Sequence, residues 1–471
     1  MLVPLTSFVF KVLFYPLKLL LKEAIAKAIK RAKRSDNTLD FIHRVDEPKG
    51  RKIAMTLEVP RELELDFLNY RSETYLKPMT SGVAHELALM VCGKNRPKPP
   101  TNEVVSRMFL SSAGALMTRW LDEESCYFVD FKVMKAPVWQ GYSFDIESFK
   151  FNPEKDYYLI KDVQGNTYEP DHARWSTALN HLVYQYSVVI PMASHNWVHF
   201  TYPDSFAAAV FKKLNRDSVL YKLLYPHTRF TNRINNQAVY VQKSTDNSPS
   251  FKNKITPWKC FPVYGSEFRE GVLENTANHY DEFENHCRFP ERMDTRIPYF
   301  DFLKHYYDVI ENFVNKVTDY IDEDDYERIQ TFIESVIPGF SQCDKVKCLS
   351  ILIWQVSVLH TTEHMSYYDL AKDYGFTELK YPISECFKID EVSNYNRYKL
   401  RCFLNVFGRF NPSKILDQRI ENYHSYQFEK GSELEKYAIE FVANLRAVDA
   451  KMKKENNQIL ELNKIVQSVC F

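Results

Sequence analysis

Apolar and polar positions recur with different periods along the chain, and the changes of period mark its parts. Residues 2–21 (LVPLTSFVFKVLFYPLKLLL) are strongly apolar, but Lys11 and Lys18 interrupt them, Pro4 and Pro16 break the run, and a basic stretch, Lys22–Arg34, follows. A membrane-spanning helix needs about 20 nearly unbroken apolar residues. A signal peptide carries its positive charge ahead of the apolar region, whereas most of it comes after here. The pattern fits an amphipathic N-terminal helix over residues 1–36, lying on a membrane surface or as a lid over a substrate entrance. A helix packed on its own domain, or a signal anchor, fits the same residues. A polar, basic hinge at 33–52 sets this segment apart from residues 37–471.

Alternation with period two marks Tyr127–Met134 as a strand, and Tyr142–Phe151 and Tyr157–Lys161 complete a small strand-rich patch. From about residue 170 onward the period is helical. Trp175–Ile190 (WSTALNHLVYQYSVVI) is a long apolar run that continues into Pro191–Phe200, which carries His195 and His199. Ser205–Leu214 and Val219–Tyr225 read as helices, and Tyr299–Ile321, Asp324–Val336 and Glu433–Asn457 as amphipathic ones. Lys345–Asp373 reads as one long apolar helix carrying His360 and His364, with Gly375 as its stop. Ile459–Phe471 is a mainly apolar tail, for which a frayed end is the default. The fold class expected is mainly α with a small strand-rich subdomain.

Composition narrows the chemistry. Only 12 of 471 residues are glycine, and no glycine-rich phosphate loop is present. Lys+Arg and Asp+Glu both number 61, which gives no support for nucleic-acid binding. Nine cysteines lie scattered without a CxxC, and Cys343 and Cys348 stand five apart. This reads as free thiols in a reducing compartment, hence a cytoplasmic protein, membrane-associated if the N-terminus docks. The 33 Phe and 30 Tyr fit a large core, or a wide aromatic-lined interior.

Two His-x3-His pairs stand out, His195/His199 and His360/His364. Residues four apart share a helix face, so each pair can turn two imidazoles toward one ion. Hydrogen-bonded core histidines account for the same spacing. All-imidazole sites with oxygen ligands suit iron, manganese, copper or zinc, and spacing does not choose among them. Glu363 makes His360–His364 an H-x-x-E-H string, the pattern of zinc peptidases in which the glutamate activates water.

Two longer stretches choose a family. Val219–Ala238 (VLYKLLYPHTRFTNRINNQA) resembles the lipoxygenase segment that follows the first metal-ligand helix, through Lys222, Leu223, Leu224, Pro226, His227, Arg229, Phe230, Thr231, Ile234 and Asn235. Trp354–Asp369 (WQVSVLHTTEHMSYYD) resembles the second ligand helix, with the family's serine at Ser357, its histidine ligand at His360 and its next ligand, Asn or His, at His364. Tyr368 and Asp369 match as well, and Ile297–Tyr299 holds the corresponding place upstream. The ending Gln467-Ser468-Val469-Cys470-Phe471 is similar to the family's tail, whose terminal carboxylate binds the metal. The resemblance covers roughly residues 125–471. It implies a compact lipoxygenase-like helical catalytic domain over 37–471, without the family's front β-sandwich.

The first ligand helix departs from the family pattern of His-x4-His. Counting from Trp175 and from Lys222 puts the second ligand on His195 and the first on Ile190, which cannot bind metal. Either His199 supplies the missing ligand from one turn on, or His199 is a displaced non-ligand histidine and the site has fewer protein ligands. Ser366 and Tyr367 replace the usual Gly and Gln. The ligand set implied is His195, His199, His360, His364 and the carboxylate of Phe471, around one non-haem iron, with manganese satisfying the same donors. The activity implied is dioxygenation of a polyunsaturated fatty acid: hydrogen is removed from a methylene between two cis double bonds, and O2 adds to the resulting radical to give a hydroperoxide. His227 and Arg229 read as structural by their place in the matched block, although Arg229, Lys212 or Lys213 would also suit a fatty-acid carboxylate. A divergent member converting lipid hydroperoxides, an HxxEH zinc peptidase and a catalytically silent lipid-binding protein on this fold are the alternatives.

Overall fold

The computed structural model describes residues 2–13, 15–33, 42–46, 52–56, 59–70, 100–131, 146–189, 202–235, 293–337, 339–365 and 418–469, with the isolated positions 72, 84, 85, 88, 92, 198, 199 and 383. The N-terminal segment forms two helices where one was expected, α1 (Leu2–Leu13) and α2 (Tyr15–Ala32), bent by 47° at the junction before Pro16. A proline lacks the amide that continues a helix, so the bend falls beside it. Part of the supposed hinge is a hairpin: β1 (Ile42–Asp46) pairs antiparallel with β2 (Lys52–Thr56). Helix α3 (Arg61–Tyr70) buries Phe67, Leu68 and Tyr70. Its acids Glu62, Glu64 and Asp66 form ion pairs with Arg216, Arg233 and Arg229.

A second layer begins with α4 (Asn102–Leu110), whose first turn is capped by the Thr101 hydroxyl accepting from the Val104 amide at 3.4 Å. A tight turn at Ala113–Met117 leads into a five-stranded antiparallel meander: β3 (Thr118–Leu121), β4 (Cys126–Asp130), β5 (Ile146–Asn152), β6 (Tyr157–Asp162) and β7 (Thr167–Tyr168). Tyr127 stands opposite Phe151, and Phe151 opposite Tyr158. The expected strands are present; residues 132–145, which include parts of two of them, lie outside the described residues. The inward side chains Val129, Phe149, Phe151 and Ile160 pack against α4 and α5 (Trp175–Val189), forming one apolar cluster with Phe109 and Leu182.

The larger cluster is helical. It joins α6 (Tyr202–Lys213), α7 (Val219–Thr228), α8 (Pro298–Thr318), α9 (Glu323–Glu334), α10 (Lys345–Trp354) and α11 (Glu433–Lys454). Along α8 the positions Phe302, Leu303, Tyr306, Ile310, Val314 and Val317 are buried. That stripe, three to four residues apart, packs against α10 and α11. Residues 366–373, the end of the expected long helix, lie outside the described residues.

Two local readings change. Cys343 and Cys348 are paired as a disulfide rather than free. Asp344 caps α10, accepting from the Lys347 amide at 3.0 Å, and the turn so formed brings the two Cα atoms to 6.2 Å. No spacing motif announces such a pair. The tail does not fray over its described length. Leu460, Leu462, Ile465, Val466 and Val469 are buried. The Ile420 amide donates to the Ile465 carbonyl at 3.0 Å, and the Gln467 amide to the Gln418 carbonyl at 2.8 Å.

Candidate metal centre

Helix α10 does not stop at Trp354. Residues Gln355–Leu359 widen into a π turn, and His360 to Met365 resume the helix. The His360 amide reaches back five residues to the Gln355 carbonyl. Such π turns occur often at functional sites, because they shift the side-chain register of everything downstream. The turn is clamped from both sides: Trp354 Nε1 donates to the Leu303 carbonyl at 3.0 Å, and Thr362 Oγ1 lies 3.0 Å from Tyr299 Oη. Near the start of α10, Tyr202 donates to the Cys348 carbonyl at 2.7 Å and ties it to α6.

His360 and His364, four residues apart, bring their ring centres to 4.5 Å. His199 lies in the turn ahead of α6, 4.8 Å from the His360 ring and 5.9 Å from the His364 ring. One nitrogen from each of the three imidazoles falls within 4.8 Å of the other two. His199 and His360 are buried and His364 half-buried. This is a donor set that one small ion can bridge.

The His199 ring is oriented by a buried polar network. Nδ1 lies 3.0 Å from Asn235 Oδ1, an acceptor, so Nδ1 carries the proton and Nε2 the lone pair that a metal takes. The Asn235 amide group donates to the His199 carbonyl, and to Asp204 Oδ1 at 2.9 Å. Asn232 donates to the same carboxylate oxygen at 3.0 Å. Metal-binding histidines are commonly fixed in this way through their second nitrogen. Asn235 belongs to the matched block, but no role attaches to it in the sequence. Asp204 and Asn232 are missed altogether. The one available signal for Asp204 is a carboxylate inside the apolar run Tyr202–Val210, every residue of which is buried.

Of the five expected ligands, the structure brings His199, His360 and His364 together. His195, Phe471 and Ile190 lie outside the described residues. Val466 donates its amide to Thr361 Oγ1 at 3.3 Å, so the tail runs beside the helix turn that carries His360. His227 holds the same tail: Nδ1 is 2.9 Å from the Gln467 carbonyl and Nε2 3.0 Å from Tyr426 Oη. Burial pushes the His227 pKa down to about 4, and its bond to the Gln467 carbonyl opposes the shift. Arg229 already has a carboxylate, gripping Asp66 through Nε and a terminal nitrogen at 2.6 Å each. Lys213 lies over the Phe332 ring, and Lys212 is exposed.

No family model and no curated relative matches the chain. Solved structures do. A coral 8R-lipoxygenase superposes with a TM-score of 0.65 at 16% identity, over 95% of this chain and 81% of that one. The chain has a lipoxygenase-like fold. A calcium-dependent 11R-lipoxygenase gives 0.63 at 13% identity, over 95% and 80% of the two chains. A lipoxygenase deletion variant solved anaerobically with arachidonate gives 0.66 at 14%, over 96% and 82%. The mainly helical body with its small antiparallel sheet is thus the architecture of a lipoxygenase catalytic domain. Identities this low speak for the fold alone.

Proposed function

We propose that the protein is a non-haem iron dioxygenase that inserts O2 into a polyunsaturated fatty acid and yields a lipid hydroperoxide. The reading rests on one observation: three imidazoles from two distant parts of the chain converge inside a fold shared with lipoxygenases. The arachidonate complex of one such relative supports the substrate class. His199, His360 and His364 would hold the ion, with His195 and the Phe471 carboxylate as further ligands, and manganese as the metal that the same donors accept. When bound, the iron would supply the one-electron chemistry that breaks the methylene C–H bond.

The chain's own residues do the rest. Asn235, itself held by Asp204, fixes the His199 tautomer. The π turn and the Tyr299–Thr362 contact hold the stretch carrying His360 and His364. Thr361 and His227 fasten the tail alongside. Apolar side chains on α8 and α10 keep water away from this part of the core.

Metal analysis of the purified protein, followed by oxygen uptake with linoleate and arachidonate, tests the proposal. Iron near one per chain, with uptake and a conjugated-diene absorbance, is the expected result. Zinc with peptide hydrolysis lost in Glu363→Gln would replace it with the peptidase reading. Absence of metal and of uptake would leave a lipid-binding protein. The isoleucine at 190, where the family has a ligand, favours one second reading, in which a lipid hydroperoxide is the substrate. Hydroperoxide consumption without O2 uptake would identify that case.

A further inference from the structure

We propose that α1 and the first turns of α2 form a docking surface for an anionic lipid bilayer. The case does not depend on which metal or reaction the core supports. In a soluble protein, an amphipathic helix turns its apolar stripe toward the core. In α1 the stripe faces the other way. Leu5, Phe8, Val9, Val12 and Leu13 recur at the helical spacing of one face, and each is exposed by 48% to 64%. Tyr15, Leu19 and Leu20 of α2 continue the exposed set at 49% to 62%. The narrower side turned toward the body mixes polar and apolar residues: Ser7 is buried, Val3, Thr6 and Phe10 are half-buried, and the Thr6 hydroxyl lies 3.6 Å from the Cys92 sulfur. Among the described residues only Tyr157, Val163, Tyr320 and Ile439 are comparable exposed apolar side chains, and they are scattered. Isolated apolar residues on a surface are ordinary, whereas eight together mark a contact site.

Charge identifies the occupant. Residues 2–33 carry seven basic side chains, Lys11, Lys18, Lys22, Lys27, Lys30, Arg31 and Lys33, against the single acid Glu23. Glu23 is engaged by Lys27 at 2.9 Å. The rest of the chain carries 54 basic against 60 acidic side chains, so the positive charge is local. Lys22, Lys27, Lys30, Arg31 and Lys33 are exposed, while Ile25, Ala28, Ile29 and Ala32 are half-buried, on the side where α2 packs against α3. An apolar stripe followed by dispersed, long-stemmed cations fits the boundary between acyl chains and anionic headgroups. Among the described residues, no single helix is long and apolar enough to cross a membrane. Treated as a bent span, the pair would carry Lys11 and Lys18 into hydrocarbon, which is costly.

The test is sedimentation of the full chain with vesicles of phosphatidylcholine alone, or with about one-third phosphatidylserine. Binding should be at least about tenfold tighter to the anionic vesicles, and should fall by a similar factor when the salt is raised about tenfold. Leu5→Gln/Phe8→Gln/Val12→Gln should weaken binding by about tenfold or more on these vesicles. Lys27→Gln/Lys30→Gln/Lys33→Gln should weaken it on the anionic vesicles only. All six positions are exposed, so circular dichroism and thermal unfolding should match the parent and exclude misfolding as the cause. No binding to either vesicle, unchanged binding by the apolar triple variant, or retention through alkaline carbonate extraction would each overturn the proposal; the last would mean insertion across the bilayer.

Discussion

Acidification should loosen the protein through His227. The imidazole is fully buried between two fixed partners, the Gln467 carbonyl and the Tyr426 hydroxyl. A carbonyl only accepts, so Nδ1 carries the proton and Nε2 accepts from Tyr426. A second proton would place a charge in an apolar setting and turn Nε2 from acceptor to donor. The folded pKa is therefore about 4, below the ordinary 6.5. Because the folded value is the lower one, the unfolded chain takes up the proton first as pH falls. Stability is thus complete above about pH 6.5 and is lost progressively as pH falls toward about 4, where the loss levels off. The gap corresponds to about 3 kcal/mol, at about 1.4 kcal/mol for each unit. Urea midpoints measured from about pH 7 to about pH 4 would read it in the wild-type protein and in His227→Gln. Glutamine can keep one donor and one acceptor but does not titrate. At neutral pH the variant should be weaker by about 1–2 kcal/mol, through imperfect hydrogen bonds. On acidification the wild type should lose about 3 kcal/mol more than the variant. Carboxylates titrate alike in both proteins and cancel in the difference. Parallel stability curves over this range would refute the reasoning.

Other perturbations are predicted from the same contacts. Gly114→Ala would put a Cβ 2.5 Å from the Met108 carbonyl oxygen and 2.7 Å from the Tyr186 ring. Backbone cannot yield there cheaply, so a loss of about 3 kcal/mol is expected in thermal or urea unfolding; an unchanged midpoint would mean that the turn has room. Asn235→Ala removes the group that orients His199, and metal retained after dialysis against a chelator should fall by about 10- to 100-fold in affinity. Equal retention would reduce Asn235 to a packing role. Asp66→Asn weakens a half-buried bidentate pair with Arg229 and should cost about 1 kcal/mol, measured by urea unfolding and reduced at high salt.

What the sequence makes legible follows from the range of the interactions involved. Helices α8, α9 and α11 lie within a few residues of their expected limits, because a long amphipathic stripe is a local signal repeated over several turns. The hairpin of β1 and β2, strands β3 and β7, and helices α3 and α4 escape the pattern. They are short, and α3 is held by partners far along the chain: three of its acids grip arginines more than 150 positions away. The Cys343–Cys348 pairing escapes for another reason, since it depends on a cap at Asp344 that has no cysteine motif. The pair His360 and His364 is legible from spacing on a strongly helical stretch, and the matched block already contains Asn235. What places Asn235 against His199 is a contact across 36 residues, supported by a buried aspartate whose chemistry looks out of place in an apolar helix.

That contact also changes how the departure at Ile190 is understood. By sequence spacing alone, His199 would have to compensate for Ile190 by standing one helix turn beyond His195. In the structure His199 lies in a turn, and its ring is aimed by Asn235 and Asp204 rather than by helical spacing. A side chain held from outside the helix does not need the helix register, and His199 meets His360 and His364 without it. The tail obeys the same logic. Its path beside Thr361 is set by His227 and by pairing with residues 418–420, not by any propensity of its own. The site is therefore assembled by long-range polar contacts laid over helices that hydrophobic periodicity alone would build. Changes at Asn235, Asp204 or His227 should accordingly disturb the centre while leaving the helices in place, whereas changes along the buried stripe of α8 should unfold both together.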